Sequence, residues 1–194
     1  HEIAGRSMLA HCLDTAETLA PASIRVVIGH EGETVRESQD ERNVQWIWQH
    51  EQNGTGHAVQ LGIEDLEAEA NDRVLVLYAD VPLLGAPTLQ ALAATEAVVS
   101  LLTVHMDDPS GYGRILRDAN GNVRRIVEQK DATEEERREQ EVNTGILMAR
   151  YGDLATWLEG LEAGNAQGEL YLTDIVEMAA NEDKRVGAVI ADDA

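Results

Sequence analysis

The chain has 194 residues, of which 43% are apolar and 26% charged, a balance that fits one folded domain with a sizeable core. With 36 acids against 15 bases the net charge is −21, which excludes tracking along nucleic acid, since that needs a basic face. No run approaches the ~20 apolar residues of a membrane span, and no signal peptide is visible, so a soluble protein of the reducing cytoplasm is expected.

Residues 6–20 read as an amphipathic helix, with Met8, Leu9, Cys12, Leu13 and Ala16 along its apolar stripe. Cys12 is the lone cysteine, so no internal disulfide forms, and a small buried thiol is the expected role. A strand over 24–28 and a helical turn over 31–38 lead to a strand over 44–48. There Trp46 and Trp48 read as packing residues rather than stacking platforms. Residues 57–70 are helix-like. Val74 to Leu77 then form a continuous apolar run, as in a strand covered on both faces.

Pro87 suits the first turn of a helix over 88–94, where its missing N–H costs nothing. Strands follow over 98–104, 114–116, 123–128 and 144–149, and Asn120-Gly121 signals a hairpin between the middle two. The charged segment 131–141 reads as a solvated loop or short helix. Helices over 153–161 and 171–180 and a strand over 186–190 close the chain. This alternation predicts one α/β domain over 1–194: a mostly parallel but mixed, doubly wound sheet, helices on both faces, and one inserted hairpin.

Several segments carry candidate chemistry. Asp80 follows the apolar run, and Pro82 then opposes continuation of a ladder. Ligands gather beyond the carboxyl ends of strands in open sheets, where an acid can hold a hard cation and through it phosphate. Asp80 can equally organise a turn with its side chain. Residues 49–58 join a strand end to a helix start, with Thr55 as candidate N-cap and Gly54 and Gly56 permitting close backbone approach. The Gln49 amide could read a base edge, having both donor and acceptor. An ordinary capped helix accounts for the same segment, with His57 on the helix surface. Gly113 could admit a ligand against the backbone or merely make a turn. Glu128 and Asn143, a carboxylate and an amide at strand ends, suit sugar hydroxyls. With so acidic a chain, a phosphate site needs metal, backbone amides or a local cationic cluster.

In order along the chain stand N-G-T-G-H-A, Y-A-D-V-P-L-L, L-L-T-V-x-x-D-D-P-x-G-Y-G-R-I, I-V-E-Q-K-D-A-T, E-V-N-T-G-I and G-E-L-Y-L-T-D-I. Together they resemble the uridylyltransferase domain of the bacterial bifunctional N-acetylglucosamine-1-phosphate uridylyltransferase/glucosamine-1-phosphate acetyltransferase family, over essentially all 194 residues. The resemblance implies a Rossmann-like nucleotide-diphospho-sugar transferase fold. The implied reaction joins UTP and N-acetylglucosamine 1-phosphate into UDP-N-acetylglucosamine and pyrophosphate with Mg2+, for cell-wall and lipopolysaccharide precursors. By motif, Gln49, Gly54 and Thr55 would face the uracil. Tyr78, Ala79 and Asp80 would line the nucleotide, with Asp80 the magnesium ligand; the family usually has glycine where Ala79 stands. Gly113, Glu128 and Asn143 would hold the N-acetylglucosamine moiety, with Tyr171 and Thr173 near it.

The family's G-x-G-T-R-M loop and P-K-V-L segment lie upstream of His1 by this matching. The catalytic arginine and lysine are therefore not in these residues, nor is the asparagine that joins the aspartate on the metal. The resemblance implies a domain incomplete at both ends, a gap where a central first strand belongs, and no appreciable activity for these residues alone. A homotrimer is implied only where a C-terminal β-helix is present. Another sugar-1-phosphate nucleotidylyltransferase, or a non-catalytic sugar-nucleotide binding module, are the alternatives.

Overall fold

Side chains alternate between the two faces of a strand, so a strand covered on both sides must be apolar throughout. Val99, Leu101 and Leu102 follow this, while their neighbours Ser100 and Thr103 are buried polar exceptions, the Thr103 hydroxyl donating to Glu141 Oε1 at 2.8 Å. The computed structural model describes residues 2–39, 41–81 and 84–191. It begins with a short hairpin, β1 (Glu2–Ile3) and β2 (Arg6–Ser7), leading into α1 (Met8–Glu17). Next come β3 (Arg25–Ile28), α2 (Gly32–Glu37), β4 (Gln45–Trp48), α3 (Thr55–Ile63) and β5 (Arg73–Val76). The middle holds α4 (Ala86–Ala93), β6 (Val99–His105), β7 (Arg114–Arg117) and β8 (Val123–Val127). A 3-10 turn (Glu136–Arg138), β9 (Glu141–Arg150), α5 (Tyr151–Glu159), α6 (Asp174–Asn181) and β10 (Val186–Ile190) complete it.

The main sheet runs β10-β6-β9-β7-β8, with β5 also paired to β9. Strands β5, β6, β7 and β10 share one direction, and β8 and β9 oppose them. The common direction matches expectation, but β9 lies among the codirectional strands, so its ladders to β5, β6 and β7 are antiparallel. The sheet is therefore mixed, and only β10–β6 within it is a parallel pair. Strands β3 and β4 form a separate parallel pair. Among the described residues no ladder joins β3 to β5, so the sheet is divided there. The consequence shows in burial: Val26 and Val27 on β3, and Val74, Leu75 and Val76 on β5, stay only half-buried.

Two cores flank the main sheet. Val99, Leu101, Leu147 and Ala149 meet Leu154, Trp157 and Leu158 of α5 and Ile175, Val176 and Ala179 of α6. Their strand neighbours Leu102, Ile146 and Met148 point the other way, onto Leu89 and Leu92 of α4. Strand β5 divides likewise, Val74 and Val76 to the first core and Leu75, with Leu77 just beyond the strand, toward the second.

Helix ends show why some lengths differ from expectation. Ser7 caps α1 by accepting from the Ala10 amide at 3.1 Å. Pro87 stands in the first turn of α4, as its geometry requires. Helix α3 stops at Ile63, well before residue 70, because Asp65 turns to φ 55°. The Arg25 guanidinium then holds the freed carbonyls, donating to Gly62 at 3.1 Å and Asp65 at 3.2 Å. The hairpin at Asn120-Gly121 forms as expected, Gly121 adopting φ 83° between β7 and β8. Pro82 and its expected break lie outside the described residues. Cys12 is buried on α1, as expected. No helix among the described residues is long and apolar enough to cross a membrane.

Candidate functional site

The site is assembled where two distant loops run side by side. The Gly56 amide donates to the Leu170 carbonyl at 2.8 Å, and the Leu170 amide to Asn53 at 2.8 Å. The Leu172 amide donates to Thr55 Oγ1 at 3.1 Å. That last bond corrects the expected role of Thr55. It is the first helical residue rather than the N-cap; Gly54 takes the cap position, with φ 102° and ψ 177° and no side-chain cap bond. The hydroxyl is spent instead on joining the 53–56 loop to the 170–172 loop.

Gln49 follows β4 and is anchored by its amide, which donates to Ile28 at 2.8 Å. Its side-chain Nε2 donates to the Gly54 carbonyl at 3.1 Å and lies 3.2 Å from His57 Nδ1. His57 is half-buried against Gln49, not a free surface residue of the helix. Trp48 and His50, on the opposite side of that strand end, stack at 5.9 Å with 9° between their planes.

Tyr78 follows β5, its ring lying against Gly145. Burial pushes its phenol pKa up, with the Thr55 hydroxyl opposing the shift. Ala79 and Asp80 are exposed in the turn beyond it. Cys12 reaches over from α1 to donate to the carbonyls of Tyr78 at 3.5 Å and Val81 at 3.7 Å. Among the described residues, no three His, Cys, Asp or Glu side chains gather into a metal cage. A lone exposed carboxylate at a strand end does fit one cation: Mg2+ keeps several waters and takes one or two carboxylates besides substrate phosphates.

Glu128, just past β8, receives a hydrogen bond from Thr173 Oγ1 at 3.1 Å. Burial raises its pKa, partly offset by that hydroxyl, while Asp131 adds to the rise. Gly113 lies so close that a Cβ built on it would stand 3.3 Å from both Glu128 carboxylate oxygens. Asn143 on β9 donates its amide to the Gly113 carbonyl at 2.9 Å, and its Oδ1 accepts from Gly145 at 3.1 Å. Tyr171 is 7% exposed, and its buried hydroxyl has no hydrogen-bond partner among the described residues. Thus Gly113, Glu128, Asn143 and Thr173 form one linked group. Gln49, Gly54 and Thr55 form a second, joined to it through the 170–172 segment. Asp80, exposed in the turn beyond Tyr78, is joined to neither group by a hydrogen bond among the described residues.

His57, Gly145 and Asp174 also belong to this neighbourhood; each lies within one of the family motifs, but sequence reading assigned none of them a site role. Asp174 starts α6 beside Thr173, and burial, then Glu177, Glu128 and Asp131, raises its pKa to about 6. The folded state therefore holds a proton that the unfolded chain has released between the ordinary carboxyl value and about pH 6. Stability must fall as pH rises through that window. Asp174→Asn is expected to raise Tm at pH 7.5 and leave it unchanged near pH 3.5. Asp174 is only half-buried, so solvent screening discounts the gain to about 1 kcal/mol, or ~2–4 °C for a domain of this size. Thermal melts at the two pH values decide it; an equal gain at both would assign the effect to something other than charge.

The site lies beyond the strand ends of a mixed α/β sheet, with a glycine loop against a helix start, the place where ligands gather in open α/β folds. A family profile described as MobA-like NTP transferase domain matches residues 1–134, and the chain belongs to that family. Particular relatives sharpen this. The Bifunctional protein GlmU of Azoarcus sp. strain BH72 is 55% identical over 192 residues, covering 98% of this chain and 42% of that protein. The Bifunctional protein GlmU of Cupriavidus pinatubonensis is 53% identical over 184 residues, covering 94% and 40%. The chain thus spans about two fifths of the length of these curated relatives. A solved structure assigned as a glucose-1-phosphate thymidylyltransferase of Bacillus anthracis, in complex with a sucrose, superposes with TM-score 0.70 at 20% identity. It covers 95% of this chain and 74% of that one, which establishes the shared fold.

Proposed function

We propose that these residues carry the sugar and nucleotide subsites of an enzyme making UDP-N-acetylglucosamine and pyrophosphate from UTP and N-acetylglucosamine 1-phosphate. The observation that carries the reading is the linked group of Gly113, Glu128, Asn143 and Thr173, in a chain about half identical to bifunctional GlmU proteins. A phosphate oxygen of the sugar phosphate attacks the α-phosphorus of UTP, and the bond to the departing pyrophosphate breaks. No covalent enzyme intermediate is needed, so positioning and charge stabilisation dominate.

Each group has a part. Glu128, held by Thr173, offers carboxylate oxygens to sugar hydroxyls, and Asn143 Nδ2, with no hydrogen bond among the described residues, can donate while Oδ1 is bound to the Gly145 amide. The orphan Tyr171 hydroxyl gains a partner when a polar ligand arrives. Gln49, Gly54 and Thr55 face the uracil, and Tyr78 and Ala79 line the nucleotide. Asp80 would hold magnesium, which when bound would supply positive charge against the phosphates.

The test separates the subsites in the protein as its gene encodes it. Glu128→Ala and Asn143→Ala should each raise KM for N-acetylglucosamine 1-phosphate while KM for UTP stays level. Loss of one buried hydrogen bond is worth about 0.5–1.5 kcal/mol, more for the charged group, so rises of roughly 2–10-fold are expected. Equal rises for both substrates would contradict the division.

A further inference from the structure

We propose that Arg114 and Gln129 form a clamp that positions Gly113 against Glu128 for the sugar phosphate, a role that rests on the subsite reading above. Arg114 is 1% exposed, the largest of the fully buried side chains. None of the described ion pairs includes it. Its guanidinium donates instead to neutral oxygens: the Tyr112 carbonyl and, at 2.6 Å, Gln129 Oε1. Its Nε is buried with no partner among the described residues. Such burial of a cation is costly, and packing alone would be served as well by a hydrocarbon of similar volume. What the guanidinium adds is a rigid planar fork of donors.

The two ends of the fork land on particular residues. Tyr112 immediately precedes Gly113, and Gln129 immediately follows Glu128. Gln129 Oε1 also accepts from the Gly111 amide at 3.3 Å, so one oxygen ties both ends of the 111–114 loop. Arg137 supports the same residue by donating to the Gln129 carbonyl at 3.3 Å. The clearance being held is narrow, since a Cβ at Gly113 would stand 2.9 Å from Ile126 Cγ2 and 3.3 Å from Glu128. A shift of about 1 Å at such a place is enough to cost substrate positioning heavily. Arg114 and Gln129 are positioning residues: they act through Gly113 and Glu128.

The experiment compares Gln129→Leu, which removes the shared acceptor at similar volume, with Gln129→Glu, which keeps an acceptor oxygen facing Arg114. Dissociation constants for N-acetylglucosamine 1-phosphate and for UTP with Mg2+ are measured by calorimetry on the gene-encoded protein, alongside Tm. Gln129→Leu should weaken the sugar phosphate about tenfold and UTP less than about twofold, on the scale expected for misplacement. Gln129→Glu should stay within about threefold of the parent for both. Should Gln129→Leu fail to fold, Arg114→Lys takes its place: a single ammonium point charge lacks the planar fork, and the same sugar-selective loss is expected. A lower Tm with unchanged sugar-phosphate affinity overturns the clamp and leaves a mere fold contact. A parent that binds glucose 1-phosphate but not N-acetylglucosamine 1-phosphate overturns the substrate reading, and the clamp is then judged on the ratio for that ligand. A parent that binds neither overturns both.

Discussion

In the gene-encoded protein, asparagine in place of Asp80 is expected to cut turnover roughly 10²–10³-fold, the scale for losing one preorganised charge-stabilising contact. The side chain is exposed in the turn after β5, so nearly isosteric exchange there should leave stability within the ~0.5 kcal/mol typical of surface changes. The electrostatic setting makes the loss severe. At net charge −21 the protein repels a nucleoside triphosphate, and only a bound cation or local bases can reverse that at the site. The two backbone carbonyls fixed by Cys12 hold the turn in either variant, so geometry is retained while charge is lost. Magnesium titrations of rate should show the defect growing as the cation becomes limiting. Full activity of Asp80→Asn at limiting magnesium would remove Asp80 from the mechanism.

The elements that were legible in the sequence are those whose causes are local. The apolar run 74–77 marked strand β5, though its residues stay half-buried beside the divided sheet, and Asn120-Gly121 marked the β7–β8 hairpin, because side-chain period and turn chemistry act over a few residues. Strand β9 defeated the same reading. Its ten residues are apolar enough for a central strand, but nothing local states that it inserts antiparallel between β5 and β6. The end of α3 was missed for a similar reason. The donor that closes it, Arg25, is remote in sequence and belongs to another strand.

Site residues divide in the same way. Glu128, Asn143 and Gly113 could be named from motifs, yet their mutual bonds, and the part of Gly145 under Tyr78, depend on the register of β9. Thr55 was misassigned as a cap because the competing donor, the Leu172 amide, is 117 residues away. The raised pKa of Asp174 had no sequence signature at all, since desolvation is a property of the packed α6 terminus and its acidic neighbours.

Alanine at Gly54 is expected to be the most damaging single methyl group in the site. Gly54 sits at φ 102°, where L side chains are strained, and its new Cβ would stand 2.6 Å from the Leu170 carbonyl oxygen and 2.9 Å from the Leu170 amide nitrogen. Both are backbone atoms, so no rotamer change relieves the clash, and the loops at 53–56 and 170–172 must part. Strain of about 1–3 kcal/mol and overpacking of similar size give a loss on the order of 2–5 kcal/mol. At ~2–4 °C per kcal/mol, Tm should fall by roughly 5–20 °C. Gly121→Ala is the control, because φ there is 83° but nothing lies within 4 Å of the added methyl. It should show only the backbone part, about 1–2 kcal/mol. Function should follow the same geometry. Gln49 loses the Gly54 carbonyl it holds, and the segment carrying Tyr171 and Thr173 shifts with Leu170. KM should therefore rise for UTP and for the sugar phosphate together, unlike the one-sided effect of Glu128→Ala. Equal Tm losses in Gly54→Ala and Gly121→Ala would mean that the two loops are not held as close as 2.6 Å implies.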